Sequence, residues 1–228
     1  MRLKLSGDSK VAPIVTPSGS VPIKNSFGLP AGKAYACPGA TSACEEVCYA
    51  GKLERLRPSV KAALLHNYNL LVDATPGLMV DLIDEAIVEF KRQADRREAE
   101  KLFRIHWDGD FFSDAYVNAW WTVIKSHPDV RFWAYTRVES AIRALNGLDN
   151  LTIYYSGDRE NVRTALSLKS EGYKVAMLAP TFNAARDLVG RAAMCPEVRG
   201  QIPLRQACVS CRICIKGDVD VLFSSSGK

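Results

Sequence analysis

The stretch Leu102-Phe-Arg-Ile-His-Trp107, continued by Asp108-Gly-Asp110, decides the fold. It is a mostly apolar and aromatic run that ends in an acidic turn, as a buried strand does. Similar runs recur, so strands are predicted over residues 102–107, 130–135, 151–155 and 173–178. Apolar residues at helical spacing fill the intervals, at residues 114–126, 138–146 and 160–170. This alternation predicts an α/β fold, either a partial (β/α) barrel or an open parallel sheet with helices.

Polar residues follow three of these strands, at the edge where parallel sheets gather their chemistry. The candidate catalytic residues are Asp108, Asp110, Arg137 and Asp158. The candidate cofactor-binding residues are His106, Gly109, Asp110 and Ser156. Carboxylates there can hold an amine, a ribose hydroxyl or a divalent ion, and an arginine can pair with a carboxylate or phosphate. The alternative is ordinary loop and helix-cap chemistry, since Asp is a favoured N-cap.

Further elements flank this repeat. Amphipathic helices are predicted over residues 58–71 and 78–90, separated at Pro76-Gly77, and a later helix over residues 183–193. A last strand is expected over residues 219–223, and the Gly- and Pro-rich residues 1–36 are expected to form short strands and loops. We expect one domain over residues 1–228. Its segments are a loop-rich part (1–57), helices (58–100), βα units (101–180) and a C-terminal cysteine segment (181–228).

The C-terminal segment carries Cys195-Pro196 and then Cys208-Val-Ser-Cys211-Arg-Ile-Cys214. Two-residue spacing lets a tight turn aim successive sulfurs at neighbouring irons, and Cys-Pro is typical of iron–sulfur ligation. Zinc is the alternative metal, because similar spacers occur in zinc sites. A third interpretation is that these are unrelated buried thiols.

A second group, Cys37, Cys44 and Cys48, lies near the N-terminus. Ser42 is predicted to cap a helix beginning near Ala43, with Glu45 as its capping-box partner. That helix places Cys44 and Cys48 one turn apart on one face, with Cys37 joining from the preceding loop. Three thiolates leave one iron of a four-iron cluster open to a substrate or cofactor. Two sites, with three and four ligands, are favoured over one shared cluster.

The composition limits the class of protein. At 228 residues, with 47% hydrophobic and 24% charged residues, the chain can bury a sizeable core. Seven cysteines in two groups and no apolar N-terminal run favour a reducing, cytoplasmic setting. No run approaches the roughly 18 apolar residues of a membrane span. The net charge of +5 is dispersed, so a small-molecule substrate or a host protein is favoured over nucleic acid as partner.

The motifs resemble those of the phage gene product 88 family of actinobacterial viruses. The resemblance is carried by Cys37-Pro-Gly-Ala-Thr41, Cys44, Cys48-Tyr-Ala50, His106-x-x-Gly-Asp-Phe111 with Ser113 and Tyr116, and the late Cys-Pro and cysteine triplet. It covers most of the chain. It implies a phage protein in the host cytoplasm with a cysteine-bound iron–sulfur cluster, expected to be 4Fe-4S, and it implies no particular reaction.

A more distant similarity is to radical S-adenosylmethionine enzymes. They too place a three-cysteine loop before an α/β part and a Gly-acid motif after an early strand, and their open iron binds the cofactor. This chain departs from their usual C-x3-C-x2-C, because it has C-x6-C-x3-C and Gly51 where a third cysteine would fall. S-adenosylmethionine is therefore a second candidate cofactor, and this departure counts against it.

Two functions from different classes follow. The first is an iron–sulfur protein with a radical-enzyme-like core and a redox or radical-type role. The second is a non-catalytic module, stabilised by iron–sulfur or zinc, that binds nucleic acid or a host protein. Zinc-dependent deamination is excluded, because His106 is followed by Trp107-Asp108 and Ala207 precedes Cys208, so the H-x-E and P-C-x-x-C motifs are absent.

Overall fold

A computed structural model describes residues 1–11 and 23–227. Within them the chain forms a sheet of seven strands, each parallel to its neighbours, in the order β1-β2-β3-β4-β5-β7-β6. The strands are β1 (Ser26–Gly28), β2 (Leu102–Asp108), β3 (Arg131–Thr136), β4 (Leu151–Gly157), β5 (Val175–Ala179), β6 (Ala193–Met194) and β7 (Val221–Ser224). The predicted α/β class and the predicted strands in the repeat are confirmed.

Ten α-helices are described. They are α1 (Ser42–Val47), α2 (Tyr49–Leu56), α3 (Pro58–Val72), α4 (Pro76–Asp95), α5 (Asp114–Ser126), α6 (Glu139–Leu145), α7 (Val162–Ser170), α8 (Phe182–Val189), α9 (Ala207–Cys211) and α10 (Ile213–Lys216). The predicted break at Pro76 is present, and that proline occupies the first turn of α4, where its missing N–H costs nothing.

The larger helices cover one face of the sheet. Strands β2 to β5 follow chain order, and right-handed crossovers between successive parallel strands place their helices on the same side. Phe103 of β2 accordingly packs against Phe90 of α4 and Trp120 of α5, in the main apolar core. Strands β1 and β6 form the two ends of the sheet and do not pair with each other in the described residues, so the sheet is open. A one-sided helix layer is also what a partial barrel has.

The opposite face, called here the inner face, is covered by the two ends of the chain. Trp133 of β3 packs there with Val11, Val209 and Ile215, and Tyr154 of β4 packs with Val221 and the cysteine segment. The C-terminal cysteine segment therefore lies against the sheet.

One local prediction is wrong, and one helix has no counterpart among the predictions. The helix predicted over residues 183–193 ends at Val189, just before Gly190, and Ala193–Met194 instead forms edge strand β6. Helix α2 was not predicted. Of the short strands and loops predicted over residues 1–36, the structure contains β1 and a bridge between Ser6 and Ser26. The prediction for residues 12–22 falls outside the described residues.

No helix of the described residues is both long and apolar enough to cross a bilayer.

Candidate metal centre and its cavity

One cavity of about 820 Å³ opens at the C-terminal ends of the strands and extends over the inner face. Residues from the ends of β2, β3, β4, β5 and β7 line it. Every cysteine of the chain lines it as well: Cys37, Cys44, Cys48, Cys195, Cys208, Cys211 and Cys214. All seven are free thiols and partly exposed. The fold thus brings both sequence groups to one space.

The loop before α1 is fixed to the strand ends by close packing. A side chain on Gly39 would place its Cβ 2.5 Å from the carbonyl oxygen of Arg137, so only glycine allows this approach. The Thr41 hydroxyl donates to Asp158, and the Ser42 and Ala43 N–H groups donate to the Glu160 carboxylate at 3.0 and 2.9 Å. The N-terminal thiols therefore lie directly over β3 and β4.

The predicted cap and helix of this loop are wrong in detail. Thr41, not Ser42, caps α1, and its hydroxyl accepts from the Cys44 N–H at 3.0 Å. Helix α1 ends at Val47, and Cys48 is an extended residue whose Sγ accepts from the Gly51 N–H at 3.3 Å as the cap of α2. Cys44 and Cys48 are thus on either side of a helix junction, not one turn apart in one helix.

The three N-terminal thiols still interact. Burial raises the pKa of Cys44, and the nearby Cys48 contributes to this rise, while the Arg137 guanidinium opposes it. Burial is also the largest cause of the raised pKa of Cys37. The charges of Asp110, Asp108 and Cys44 raise this pKa further. All three thiols line the cavity close to the acidic end of β2, and Cys44 interacts with each of the other two.

The C-terminal thiols form the second group around Cys214. Burial is the main reason that the pKa of Cys214 is raised to about 11, and the charges of Cys195 and Cys211 add to this rise. A hydrogen bond from Tyr135 lowers the pKa of Cys214 and so opposes it. Burial likewise raises the pKa of Cys208 to about 12, with Cys214 contributing and Arg104 opposing. Cys214 therefore interacts with each of the other three thiols of this group, and all four line the cavity.

Local backbone geometry explains how the cysteine triplet turns back on itself. Gln206 and Arg212, which precede α9 and α10, are both in the left-handed region, with φ of 62° and 59°. Cys195 extends β6, since its N–H donates to the Leu222 carbonyl at 3.0 Å. The Ile215 carbonyl accepts from Arg131 and from Thr152 at 2.9 Å. These bonds hold the triplet against the inner face.

The donors that this cavity offers include seven thiols. Iron–sulfur clusters are held by cysteine, and this cavity offers a group of three thiols and a group of four. Over residues 1–11 and 23–227, no three His, Cys, Asp or Glu side chains converge closely enough to hold a single metal ion.

Arg104 lines the cavity that the two thiol groups share. Its guanidinium donates to Asp8 at 2.8 Å and to the Tyr49 hydroxyl at 3.2 Å, and it sits 5.9 Å from the centre of the Tyr135 ring. Tyr49 follows Cys48 in the chain, whereas Tyr135 forms a hydrogen bond with Cys214. The Nε of Arg104 is buried without a partner in the described structure. Arg104 thus places a positive charge beside Cys208 and Cys214, and it hydrogen-bonds the tyrosine that follows Cys48.

Asp108 is the predicted acid with unused bonding capacity. It is buried, its Oδ1 accepts from the Gly109 N–H at 2.9 Å, and its Oδ2 has no partner among the described residues. Burial and then the adjacent Glu54 carboxylate raise the pKa of Asp108 to about 8. Two carboxylates accept only, so they can bond each other only when one carries a proton. This pair is therefore suited to holding a proton near neutral pH.

The other predicted catalytic residues make structural bonds. Asp110 accepts from the Thr136 hydroxyl at 2.6 Å and from the Phe111 and Arg137 N–H groups, each at 2.8 Å. Burial nevertheless raises the pKa of Asp110 to about 6. Arg137 Nη1 donates to Asp158 at 2.7 Å in a buried ion pair. Although burial alone would raise it, the bonds from Thr41, the Glu160 N–H and Arg137 hold the pKa of Asp158 below its usual value.

Among the predicted cofactor-binding residues, His106 packs among aromatic side chains. His106 is buried with its ring among Phe27, Phe111 and Trp120, and its Nε2 lies 2.8 Å from the Tyr116 hydroxyl. Burial and then the Arg104 charge lower the pKa of His106 to about 3, so the ring is neutral. Its Nδ1 has no partner in the described chain.

Gly109 and Ser156 both line the cavity. Gly109 has φ of 80°, and a Cβ there would lie 2.7 Å from that of Leu29, so this glycine serves packing between loops.

Glu54, Arg104, Tyr49 and Tyr135 were not identified from the sequence. Only Arg104 carried a local signal, because it is a charge in the middle of a predicted buried strand. Glu54 reaches Asp108 from α2, and nothing in the local pattern indicates which side of that helix meets β2.

Comparison with known proteins identifies the family. A family model described as Gene product 88 matches residues 4–217. The Gene 88 protein of Mycobacterium phage L5 is 46% identical over 237 residues, which span 100% of this chain and 99% of that protein. The Gene 88 protein of Mycobacterium phage D29 is 45% identical over 237 residues, spanning 99% of each. No solved structure matches significantly. The family resemblance found in the sequence motifs is thus confirmed, and the chain belongs to the gene product 88 family of phage proteins.

Proposed function

We propose that this phage protein binds iron–sulfur clusters at both cysteine groups and uses them in a redox or radical-type reaction on a small molecule. Cys37, Cys44 and Cys48 would hold one cluster. The second would be held by Cys195, Cys208, Cys211 and Cys214. The observation that carries the proposal is that every thiol of the chain, from its two ends, lines one cavity at the C-terminal edge of a parallel sheet.

The two thiol groups differ in the number of ligands that they offer to a cluster, three in the first and four in the second. A bound cluster supplies one-electron transfer, and one held by three protein thiolates keeps an iron available to an outside ligand. The protein's part is to provide thiolates. Because burial holds the pKa of Cys208 near 12 and that of Cys214 near 11, these thiols are protonated at neutral pH until metal binds. Loading is therefore expected to release protons and to be favoured by higher pH.

The substrate would occupy the space beside the three-thiol group. A cavity of about 820 Å³ is within the usual range of small-molecule sites, about 300–1,000 Å³. Asp108 is the group best suited to accept or return a proton there, since its Oδ2 accepts no hydrogen bond from a donor among the described residues and the adjacent Glu54 carboxylate, after burial, helps to raise its pKa to about 8. Asp110, Arg137 and Asp158 would position the surrounding loops.

S-adenosylmethionine is one candidate ligand for the open position. Support comes from the three-thiol loop placed over the strand ends of a sheet with helices on one side. The C-x6-C-x3-C spacing of this loop differs from that of known radical enzymes. The proposal needs a reducing compartment, in which thiols stay free, and therefore locates the protein in the host cytoplasm.

A second candidate function is a non-catalytic module stabilised by iron–sulfur or zinc. The observation that favours it is that Cys208 and Cys214 pack with Trp133 and Tyr135 over the inner face. A metal at this group would cross-link the C-terminal segment to the sheet without any reaction, and the partner would be a host protein or nucleic acid.

The test is metal analysis of protein purified without oxygen, with Cys48→Ala and Cys211→Ala made separately. We expect brown protein with comparable iron and sulfide, and each variant should lose about half of the iron, because each removes a ligand from a different cluster. Loss of all iron in both variants would instead indicate one shared centre. Colourless protein containing zinc would overturn the iron proposal. Adding S-adenosylmethionine to the reduced protein should alter its electron paramagnetic spectrum only if that cofactor binds.

A further inference from the structure

The surface beside the three-thiol group is basic over a short segment. Four exposed cations are called here the basic face: Lys52 and Arg55 on α2, Arg57 between the two helices, and Lys61 in the first turn of α3. None of the four forms an ion pair within the described part of the chain. Glu54 is the one acid in this segment, and it faces inward, accepting from the Ala31 N–H at 2.8 Å. The basic face thus presents uncompensated positive charge.

Apolar side chains are interspersed with these cations. Tyr49, Leu53 and Leu56 are 53%, 39% and 74% exposed, and all three belong to α2. Exposed apolar groups mixed with arginine are typical of protein interfaces. A surface that bound only phosphates would have no use for the two leucines, so protein is favoured over nucleic acid.

The basic face also borders the cavity. Lys52, Arg55 and Lys61 line its mouth. The point where a side chain on Gly51 would begin lies 3.6 Å from Cys48 Sγ and 3.7 Å from Arg55 Nη1. A partner that contacts Arg55 is therefore separated from the first thiol group by little more than one side chain.

We propose that the basic face is the docking site for an acidic one-electron carrier protein, which reduces the centre held by Cys37, Cys44 and Cys48. This rests on the proposed function for the identity of the centre. Complementary charge steers such partners together and raises their association rate. In the transfer, the carrier is oxidised by one electron and the centre is reduced by one. No bond between the two proteins is made or broken.

The experiment uses a plant-type [2Fe–2S] ferredoxin as the probe. The test variant is Lys52→Glu/Lys61→Glu, and the matched control is Arg96→Glu/Lys125→Glu, which reverses two cations that do not line the cavity. Direct binding is measured first, at several salt concentrations. The rate at which reduced ferredoxin reduces the protein is measured second, with iron content and dithionite reduction recorded for every sample.

We expect the test variant to weaken binding and slow reduction roughly tenfold or more at low salt, and the control to have little effect. The unmodified protein should itself lose affinity as salt rises. Equal behaviour of both variants, or binding that ignores salt, would overturn the proposal. So would loss of duplex DNA binding in the test variant with ferredoxin transfer unchanged. If the protein contains no iron, the proposed function fails, while the binding measurement still decides whether an acidic carrier docks here.

Discussion

At the residue scale, the buried pair of Arg137 and Asp158 connects the first cysteine loop to the sheet. Only 7% and 3% of the two side chains are exposed, and the Thr41 hydroxyl donates to the same carboxylate. Removing one partner of a buried ion pair leaves the other charge without compensation in a poorly solvated site. The pair therefore matters more for holding the loop than for the surface charge of the molecule.

We predict that Arg137→Met lowers the free energy of unfolding by about 3–5 kcal/mol, because Asp158 then remains buried and unpaired. Urea denaturation of the metal-free protein would measure this loss. Arg143→Met is the control, since Arg143 is paired with Glu139 and Glu171 on the exposed surface, and it should cost far less. Similar losses in the two variants would mean that Asp158 is better solvated than its surroundings indicate.

Sequence reasoning located the polar strand ends but did not separate their roles. Asp108, Asp110 and Asp158 were all predicted as catalytic candidates because each follows a strand. Their difference lies in hydrogen-bond partners from distant segments: Asp110 is satisfied by the end of β3, and Asp158 by Thr41. Asp108 instead faces Glu54. Such partners are set by tertiary contacts, which no local pattern encodes.

At the element scale, the closest approach of the loop before α1 to the sheet is between Gly39 and Arg137, the residue that follows β3. Gly39→Ala would force its new Cβ against the Arg137 carbonyl, so the loop must move away from the strand. We predict that this variant loses the iron of the first group while keeping that of the second, measured as iron per chain. Gly77→Ala is the control, because nothing lies within 4 Å of a Cβ there and alanine favours the helix. Full iron in Gly39→Ala would contradict this account.

Long elements with a regular apolar pattern can be predicted from the sequence, whereas short elements cannot. Helix α5 and strand β2 are long and strongly patterned, and they were predicted nearly to the residue. Strand β6 has two residues, and it exists because its backbone pairs with β7. Helices α1 and α2 meet at Cys48, whose side chain caps the second helix. Short elements of this kind are decided by pairing and capping partners, so their sequences carry little periodic signal.

At the scale of the whole molecule, the cysteine segment lies on the sheet with little secondary structure of its own. Helices α9 and α10 have five and four residues, too short to be stable alone. They are held by a few buried side chains, chiefly Val209 and Ile215, and by bonds to the Ile215 carbonyl. A metal bound by Cys208, Cys211 and Cys214 would add the missing constraint.

We therefore predict that removing the metal loosens this segment and leaves the βα core folded. Hydrogen exchange should speed up in amides of residues 207–216, while those of β3 and β4, which are paired on both sides, keep their protection. Limited proteolysis should cut the metal-free protein in the same segment, and reloading iron and sulfide should restore resistance. Cys48→Ala is the control, because it removes a ligand of the other group and should leave this segment protected. Unchanged exchange after metal removal would show that side-chain packing alone holds the C-terminal segment, and the cross-linking role of the second group would then be wrong.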